Sequence, residues 1–347
     1  ENLVGTSNDD VLIGDATAHS LTGGAGVDTY RFESDWGTDT ITEIDEVGGT
    51  TLDFSLIQDS LTIELNGDNT VSVTSSTGTL ENIPYITTII GGQGDDTFIF
   101  DPDAASTPFV DGYTGSDTLD YSAFTAGLTI DLSGFGATPT GTSGVDAVEN
   151  IIGGSGDDTL TAGDAAATLS GGAGRDHLIG GSGDDFLYGG EGVDTLEGGA
   201  GDDILDGGTG ADVLYGYLES APQDDTGSDT ASYQSFAIDL SGNGLTVDFS
   251  APGNSTGDAA GDSYTGIENI IGSTGSDLLV GDENANVISG GDSDDTLIVM
   301  GGDDVFDGGV GCDMVSYADY TTATRGVYAE LGVIQSEHGY TASGTDT

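Results

Sequence analysis

Aspartate spacing carries the chemistry of this sequence. Asp158, Asp176, Asp194 and Asp212 stand 18 apart, Asp185 and Asp203 repeat the step, and so do Asp10 with Asp28 and Asp277 with Asp295 and Asp313. Carboxylates recurring at a fixed interval among glycines suit a hard cation. Calcium takes about six to eight oxygens and accepts carboxylate and backbone carbonyl together. The bulk charge points the same way. There are 62 Asp and Glu against three basic residues, Arg31, Arg175 and Arg325, for a formal net charge of −59. A compact chain at that charge repels itself, so bound cations are expected to neutralise much of it. The same sign excludes nucleic-acid phosphate as a partner and disfavours an anionic membrane surface.

Other chemistries are poorly served. His19 and His177 fall at turn and strand-surface positions of repeats, and His338 belongs to no motif. Without H-E-x-x-H there is no metalloprotease site, and without lysine there is no P-loop. No serine sits in a G-x-S-x-G elbow. Asp157-Asp158 and Asp184-Asp185 are paired carboxylates of a kind glycosidases use. Within a repeat, each pair reads instead as one ligand and one solvated neighbour. Cys312 is the only cysteine, so no disulfide framework exists, and a metal is the expected staple. There is no signal peptide and no apolar run long enough to span a bilayer. The chain reads as a segment of a longer polypeptide. No catalytic residue and no organic cofactor site is assigned.

A nine-residue repeat positions the acids. From Gly171 five units run without a gap, GGAGRDHLI, GGSGDDFLY, GGEGVDTLE, GGAGDDILD and GGTGADVLY, ending at Tyr215. GGSGDDTLT (153–161) and AGDAAATLS (162–170) precede them. A second run covers 272–316, a third covers 5–31, and GGQGDDTFI (91–99) with GYTGSDTLD (112–120) forms a broken pair. Positions 1, 2 and 4 favour glycine, as tight turns with close backbone approach require. Position 8 is large and apolar, as at Leu178, Leu187, Leu196, Leu205 and Leu214. Residues 7–9 read as a short strand with its middle side chain inward. One inward residue per unit cannot make a core, so the units must stack.

A longer period overlies the nonads. Alternating segments at Leu61–Leu65, Leu128–Leu132, Leu245–Phe249 and Val327–Leu331 read as half-buried strands. The first three are followed by Glu81-Asn82-Ile83, Glu149-Asn150-Ile151 and Glu268-Asn269-Ile270, and Glu1-Asn2-Leu3 matches this junction. Four domains are therefore expected, at 1–80, 81–148, 149–267 and 268–347, each a nonad block with a β-rich spacer. Phe54, Tyr121, Tyr233 and Tyr317 recur at matching spacer positions and are read as capping core. Helix signals are nearly absent, and the best short candidate, Tyr317 to Thr324, has no convincing cap.

The tandem nonads resemble the RTX family, whose consensus is G-G-x-G-x-D-x-U-x. The resemblance covers roughly half the chain directly, and tandem copies make it specific. It implies an all-β fold, a right-handed parallel β-roll in which two units make one coil, with calcium between turns one coil apart. It further implies that positions 2, 4 and 6 of one loop and 1, 3 and 6 of the loop a coil later hold each ion. Carried onto this sequence, that pattern places Thr6, Asn8 and Asp10 with Gly23, Ala25 and Asp28, and Gly92, Gly94 and Asp96 with Gly112, Thr114 and Asp117. In the long run it places Gly154, Gly156 and Asp158 with Gly171, Ala173 and Asp176; Gly172, Gly174 and Asp176 with Gly189, Glu191 and Asp194; and Gly190, Gly192 and Asp194 with Gly207, Thr209 and Asp212. On the other edge it places Gly181, Gly183 and Asp185 with Gly198, Ala200 and Asp203. The second run gives Ser273, Gly275 and Asp277 with Gly290, Asp292 and Asp295, and Gly291, Ser293 and Asp295 with Gly308, Val310 and Asp313.

Departures weaken particular sites. Ala167 and His19 replace Asp at position 6, and Asn286 sets a neutral oxygen opposite Asp304. Asp96 and Asp117 are 21 apart, so three residues must bulge out, and Asp212 with Asp229, 17 apart, is out of step. Several calcium ions, roughly six to nine, are expected from the ligands each site offers. Extracellular calcium modules bind at about 10⁻⁴–10⁻³ M, so the chain is expected to be unfolded when made and folded once exported. The function this implies is a secreted, cell-surface structural protein of bacterial type, a surface layer, matrix or adhesin, and not an enzyme. The alternatives are a secretion module of a larger exported enzyme and a glycan- or host-binding module. Self-association or cell-surface polysaccharide is the expected partner, without nucleic acid and without membrane insertion.

Overall fold

Turns rich in glycine and a single inward residue per unit favour short strands that stack side by side. The computed structural model is built of such strands. It describes residues 2–14, 16–33, 36–42, 49–105, 107–134, 140–221, 227–234, 243–317, 332–336 and 339–345. Among these there is no α-helix, only the 3-10 turns Pro252–Asn254 and Gly257–Ala259. The expected strand Val327–Leu331, the helix candidate beyond Tyr317, Glu1, Arg325 and His338 lie outside the described residues. The chain divides into two compact units, Glu1–Gly163 and Asp164–Thr347. Each is a parallel β-roll.

In the second unit, Thr168–Gly174, Phe186–Gly192, Ile204–Gly210, Thr230–Ser232, Asn269–Ile271, Val287–Ser289 and Val305–Asp307 stack in that order in one parallel sheet. A second sheet stacks His177–Gly181, Thr195–Gly199, Val213–Tyr215 and Ser263–Thr265. A third stacks Asn243–Asp248, Ser276–Val280, Thr296–Ile298 and Met314–Ser316. Register sets like on like. Leu178 lies opposite Leu196 and Leu196 opposite Leu214, while Leu169, Leu187 and Leu205 form a matching column. All six are buried, and full burial of one such side chain is worth about 1.5–3 kcal/mol. The core is therefore made of columns, not of a single cluster.

In the first unit, Val11–Gly14, Asp28–Phe32, Thr50–Asp53, Ile86–Ile90, Phe109–Asp111 and Gly144–Asp146 form one parallel sheet. Another stacks Thr62–Leu65, Thr97–Phe100, Thr118–Asp120 and Asn150–Ile152. Aromatic residues fill the roll. Trp36 and Phe54 lie against Phe32, and Phe100 stacks on Tyr121 with centroids 4.6 Å apart. Phe54, Tyr121 and Tyr233 are buried, as expected of capping core, whereas Tyr317 is half-buried.

Two expectations are refined. Strands of three residues occur, as at Thr159–Thr161, but in the long run they extend to seven, because turn residues also stack in register, Gly172 opposite Gly190 and Gly174 opposite Gly192. The spacer strands are not separate from the roll. Thr62–Leu65, Thr129–Asp131 and Asn243–Asp248 each pair in parallel with a nonad strand. Only Thr62–Leu65, Thr70–Thr74 and Gly78–Pro84 turn back as an antiparallel meander in the first unit.

Candidate metal sites

The position-6 aspartates form ladders along the edges of each roll. The Oδ1 of each accepts the backbone N–H of the position-6 residue one coil earlier. In the second unit Asp176 N–H donates to Asp194 and Asp194 N–H to Asp212, each at 2.8 Å. On the other edge Ala167 donates to Asp185 and Asp185 to Asp203, each at 2.8 Å. The same bond joins Asp10 to Asp28, Asp277 to Asp295, Asp295 to Asp313, and Asn286 to Asp304. Asp96 and Asp117 are joined at 2.7 Å in spite of their spacing of 21. The extra residues lie between the strands Thr97–Phe100 and Phe109–Asp111. Asp158 belongs to the first unit and Asp176 to the second.

The second carboxylate oxygen is the informative one. The Oδ2 atoms of Asp28, Asp117, Asp185, Asp194, Asp212, Asp295 and Asp313 are buried and accept no hydrogen bond. A buried charged oxygen left this way costs several kcal/mol unless a cation compensates it. Carbonyls converge on the same points. A Cβ added to Gly189 would lie 2.6 Å from Asp194 Oδ2 and 2.6 Å from Gly207 O, and one on Gly171 would lie 2.5 Å from Asp176 Oδ2 and 2.7 Å from Gly189 O. A Cβ on Gly190 or Gly192 would run into the carbonyl of Gly172 or Gly174, its in-register partner one coil earlier. Among the described residues no three His, Cys, Asp or Glu side chains gather at one point. Any ion here must therefore take most of its ligands from carbonyl oxygen, which suits calcium and not zinc.

Turn geometry decides which Oδ2 is exposed to such an ion. Gly190, at position 2, has φ +107 and its loop's Asp194 keeps Oδ2 unpartnered. Tyr113 is forced to φ 73 at the same position of the Asp117 loop. Where a ladder begins, the position-2 N–H turns inward instead. Thr6, Gly92, Gly154 and Ser273 donate to Oδ2 of Asp10, Asp96, Asp158 and Asp277. Three of these first rungs accept from a leucine of a spacer strand, Leu61 to Asp96, Leu128 to Asp158 and Leu245 to Asp277.

Burial acts on the ladder acids. It pushes Asp117, Asp185, Asp212 and Asp295 up to about 7, and Asp96, Asp194 and Asp262 up to about 6. Asp277 and Asp313 are raised by the same cause.

Some rungs escape the sequence reading. Asp229 follows Asp203, 26 residues on, at 2.9 Å, which is why it is out of step with Asp212. Asp212 is followed by Asp262, 50 residues on, at 2.8 Å. The loop before Asp262 is a disguised nonad, GDAAGDSYT, whose strand Ser263–Thr265 continues the sheet. Tyr233 hydroxyl donates to Asp262 Oδ2 at 2.9 Å and ends that ladder. His19, in place of Asp, still donates its backbone N–H to Asp39 at 2.7 Å. Position-5 acids are exposed, as expected of solvated neighbours, but some also accept hydrogen bonds. Asp184 Oδ1 accepts from Asp202 N–H, and Asp294 Oδ1 from Cys312 N–H, forming an outer ladder of opposite sense.

The profile described as RTX calcium-binding nonapeptide repeat (4 copies) matches residues 4–41, 87–103, 143–166, 163–196, 188–218, 262–297 and 280–315. These spans cover just over half of the chain, and they hold most of the ladder aspartates, Asp117 and Asp229 lying outside them. A parallel β-roll with oxygen-lined turns defines the class, and the chain belongs to the RTX calcium-binding nonapeptide repeat family. No curated protein matches it.

Proposed function

We propose that the chain is a calcium-dependent structural module of an exported protein, a surface layer, matrix or adhesin, and not a catalyst. One observation carries this reading: within the ladders the buried second oxygens of Asp28, Asp117, Asp185, Asp194, Asp212, Asp295 and Asp313 accept no hydrogen bond. Such a fold is incomplete without cations, and at a net charge of −59 it is self-repelling without them. The ions would sit between coils, held by Oδ2 of the first loop's aspartate with its position-2 and position-4 carbonyls, and by positions 1, 3 and 6 of the next. In the long run these are Gly172, Gly174 and Asp176 with Gly189, Glu191 and Asp194, then Gly190, Gly192 and Asp194 with Gly207, Thr209 and Asp212. Roughly six to nine such ions fit the family's ligand requirement. Extracellular calcium is sufficient to fill modules of this type and cytosolic calcium is not, so folding would follow export. Among the described residues no helix is long and apolar enough to cross a membrane. The partners best suited to the acidic faces are a second copy, bridged by calcium, or a cell-surface polysaccharide. Circular dichroism tests the reading. A coil-like spectrum in chelator should become a β spectrum in millimolar calcium, and a β spectrum indifferent to calcium would overturn it.

A further inference from the structure

The Glu-Asn-Ile junctions do more than separate blocks. In the first unit Asp117 N–H donates to Glu149 Oε2 at 3.0 Å, 32 residues away. In the second, Asp229 N–H donates to Glu268 Oε2 at 2.9 Å, 39 residues away. A glutamate thus takes the rung that an aspartate occupies elsewhere. Two further hydrogen bonds recur at both junctions. Asn150 Nδ2 donates to Ser116 Oγ at 2.9 Å, and Asn269 Nδ2 to Ser228 Oγ at 3.0 Å. Asn150 N–H donates to Asp117 O and Asn269 N–H to Asp229 O, both at 2.9 Å.

Each junction also supplies a carbonyl. A Cβ on Gly112 would meet Asp117 Oδ2 and Ala147 O together, and one on Gly216 would meet Asp229 Oδ2 and Gly266 O together. In both cases the carbonyl belongs to the residue two before the glutamate, and both residues are left-handed, Ala147 at φ 50 and Gly266 at φ 68. An alanine held at positive φ is strained. That strain aims its carbonyl at the place which a position-1 glycine carbonyl occupies between ordinary nonads. Asp117 is wholly buried and its Oδ2 accepts no hydrogen bond.

From this convergence of Asp117 Oδ2, Ala147 O and Glu149, repeated at Asp229, Gly266 and Glu268, the structure assigns the two junctions as calcium sites that close a ladder with glutamate. The assignment rests on the calcium reading above. The extra methylene of glutamate lets a carboxylate reach the rung after an insertion has carried the chain out of period. The third junction within the described residues is a natural control. Glu81 is exposed on the antiparallel strand Gly78–Pro84, and Asn82 donates to Ser72 Oγ, so no ladder ends there.

Native mass spectrometry of the full chain in calcium counts the ions directly. Glu149→Gln and Glu268→Gln keep an oxygen acceptor and remove the charge. Each should lose one ion against wild type and the double variant two, while Glu81→Gln should lose none. Unchanged counts in both Gln variants, or equal loss in Glu81→Gln, would overturn the assignment while leaving the calcium reading standing. A wild-type chain that takes up no calcium would remove both. Circular dichroism in saturating calcium reports whether each variant folds. For one that does not, Glu149→Asp or Glu268→Asp keeps the charge and shortens the reach. The assignment then requires a calcium midpoint raised severalfold, and a wild-type midpoint would overturn it.

Discussion

At the scale of a residue, Asp194 shows why some acids matter more than their neighbours. Its Oδ1 holds Asp176 N–H, its own N–H is held by Asp212, and its buried Oδ2 accepts no hydrogen bond. As a ligand it would be shared by two successive calcium sites. A site filled at ~100 times its Kd stabilises the fold by about 2.7 kcal/mol, so Asp194→Asn should remove about 5 kcal/mol of calcium-dependent stability. Asp184→Asn, on the exposed outer ladder, should change it by less than about 0.5 kcal/mol. Equilibrium unfolding of both variants at fixed calcium makes the comparison. Protonation follows from the same burial. Asp185 and Asp212, pushed up to about 7 from an ordinary 3.8, bind protons more tightly in the fold than in the unfolded chain. Their protonation therefore favours the calcium-free fold below about pH 4 and this support is lost as pH rises through about 7. In chelator, β content should rise on acidification. With calcium present the midpoint should move to higher calcium as pH falls from 8 to 6, because ion and proton compete. Circular dichroism titrations across pH check both signs.

At the scale of an element, the strand is short and its inward residue does the packing. Leu196 is buried between Leu178 and Leu214 in the column. Leu196→Ala should cost about 2–5 kcal/mol, whereas Thr195→Ala, half-exposed beside it, should fall within about 1 kcal/mol. Denaturant unfolding in saturating calcium measures the difference. Column residues and in-step rungs were legible because a period of nine survives in the letters. Asp176, Asp194 and Asp212, or Leu178, Leu196 and Leu214, need only counting. Rungs across insertions were not, since counting fails once a loop of arbitrary length intervenes. Asp203 meets Asp229 and Asp212 meets Asp262 at steps of 26 and 50. Leu61, Leu128 and Leu245 were hidden differently. They take their rungs through the backbone N–H alone, which any side chain permits. The recurring Ser-Asp-Thr at 116–118 and 228–230 was the available signal, for it marks both rungs that precede a junction glutamate.

At the scale of the whole molecule, charge bears on the dimensions. With 62 acids and three basic residues, the chain is expected to expand by self-repulsion where no cation offsets it. A fully unfolded chain of 347 residues has a radius of gyration of about 67 Å. Small-angle scattering in chelator at neutral pH and low salt should approach that value or exceed it through self-repulsion, and added calcium should lower it severalfold. Added monovalent salt should recover only part of the contraction, because it screens the charges without supplying the shared ligands that close the coils.

The in-register parallel stacking also has a mechanical consequence. In the five ungapped nonads of the second unit, each coil pairs with the coil before and the coil after through its strands and aspartate ladders. A load applied along the chain is then borne in series, one coil at a time. When a coil lets go, its 18 residues pay out about 60 Å of slack in place of a rise of about 4.8 Å. A block of this kind should lengthen stepwise under load, and single-molecule stretching should show the yield force rising with added calcium.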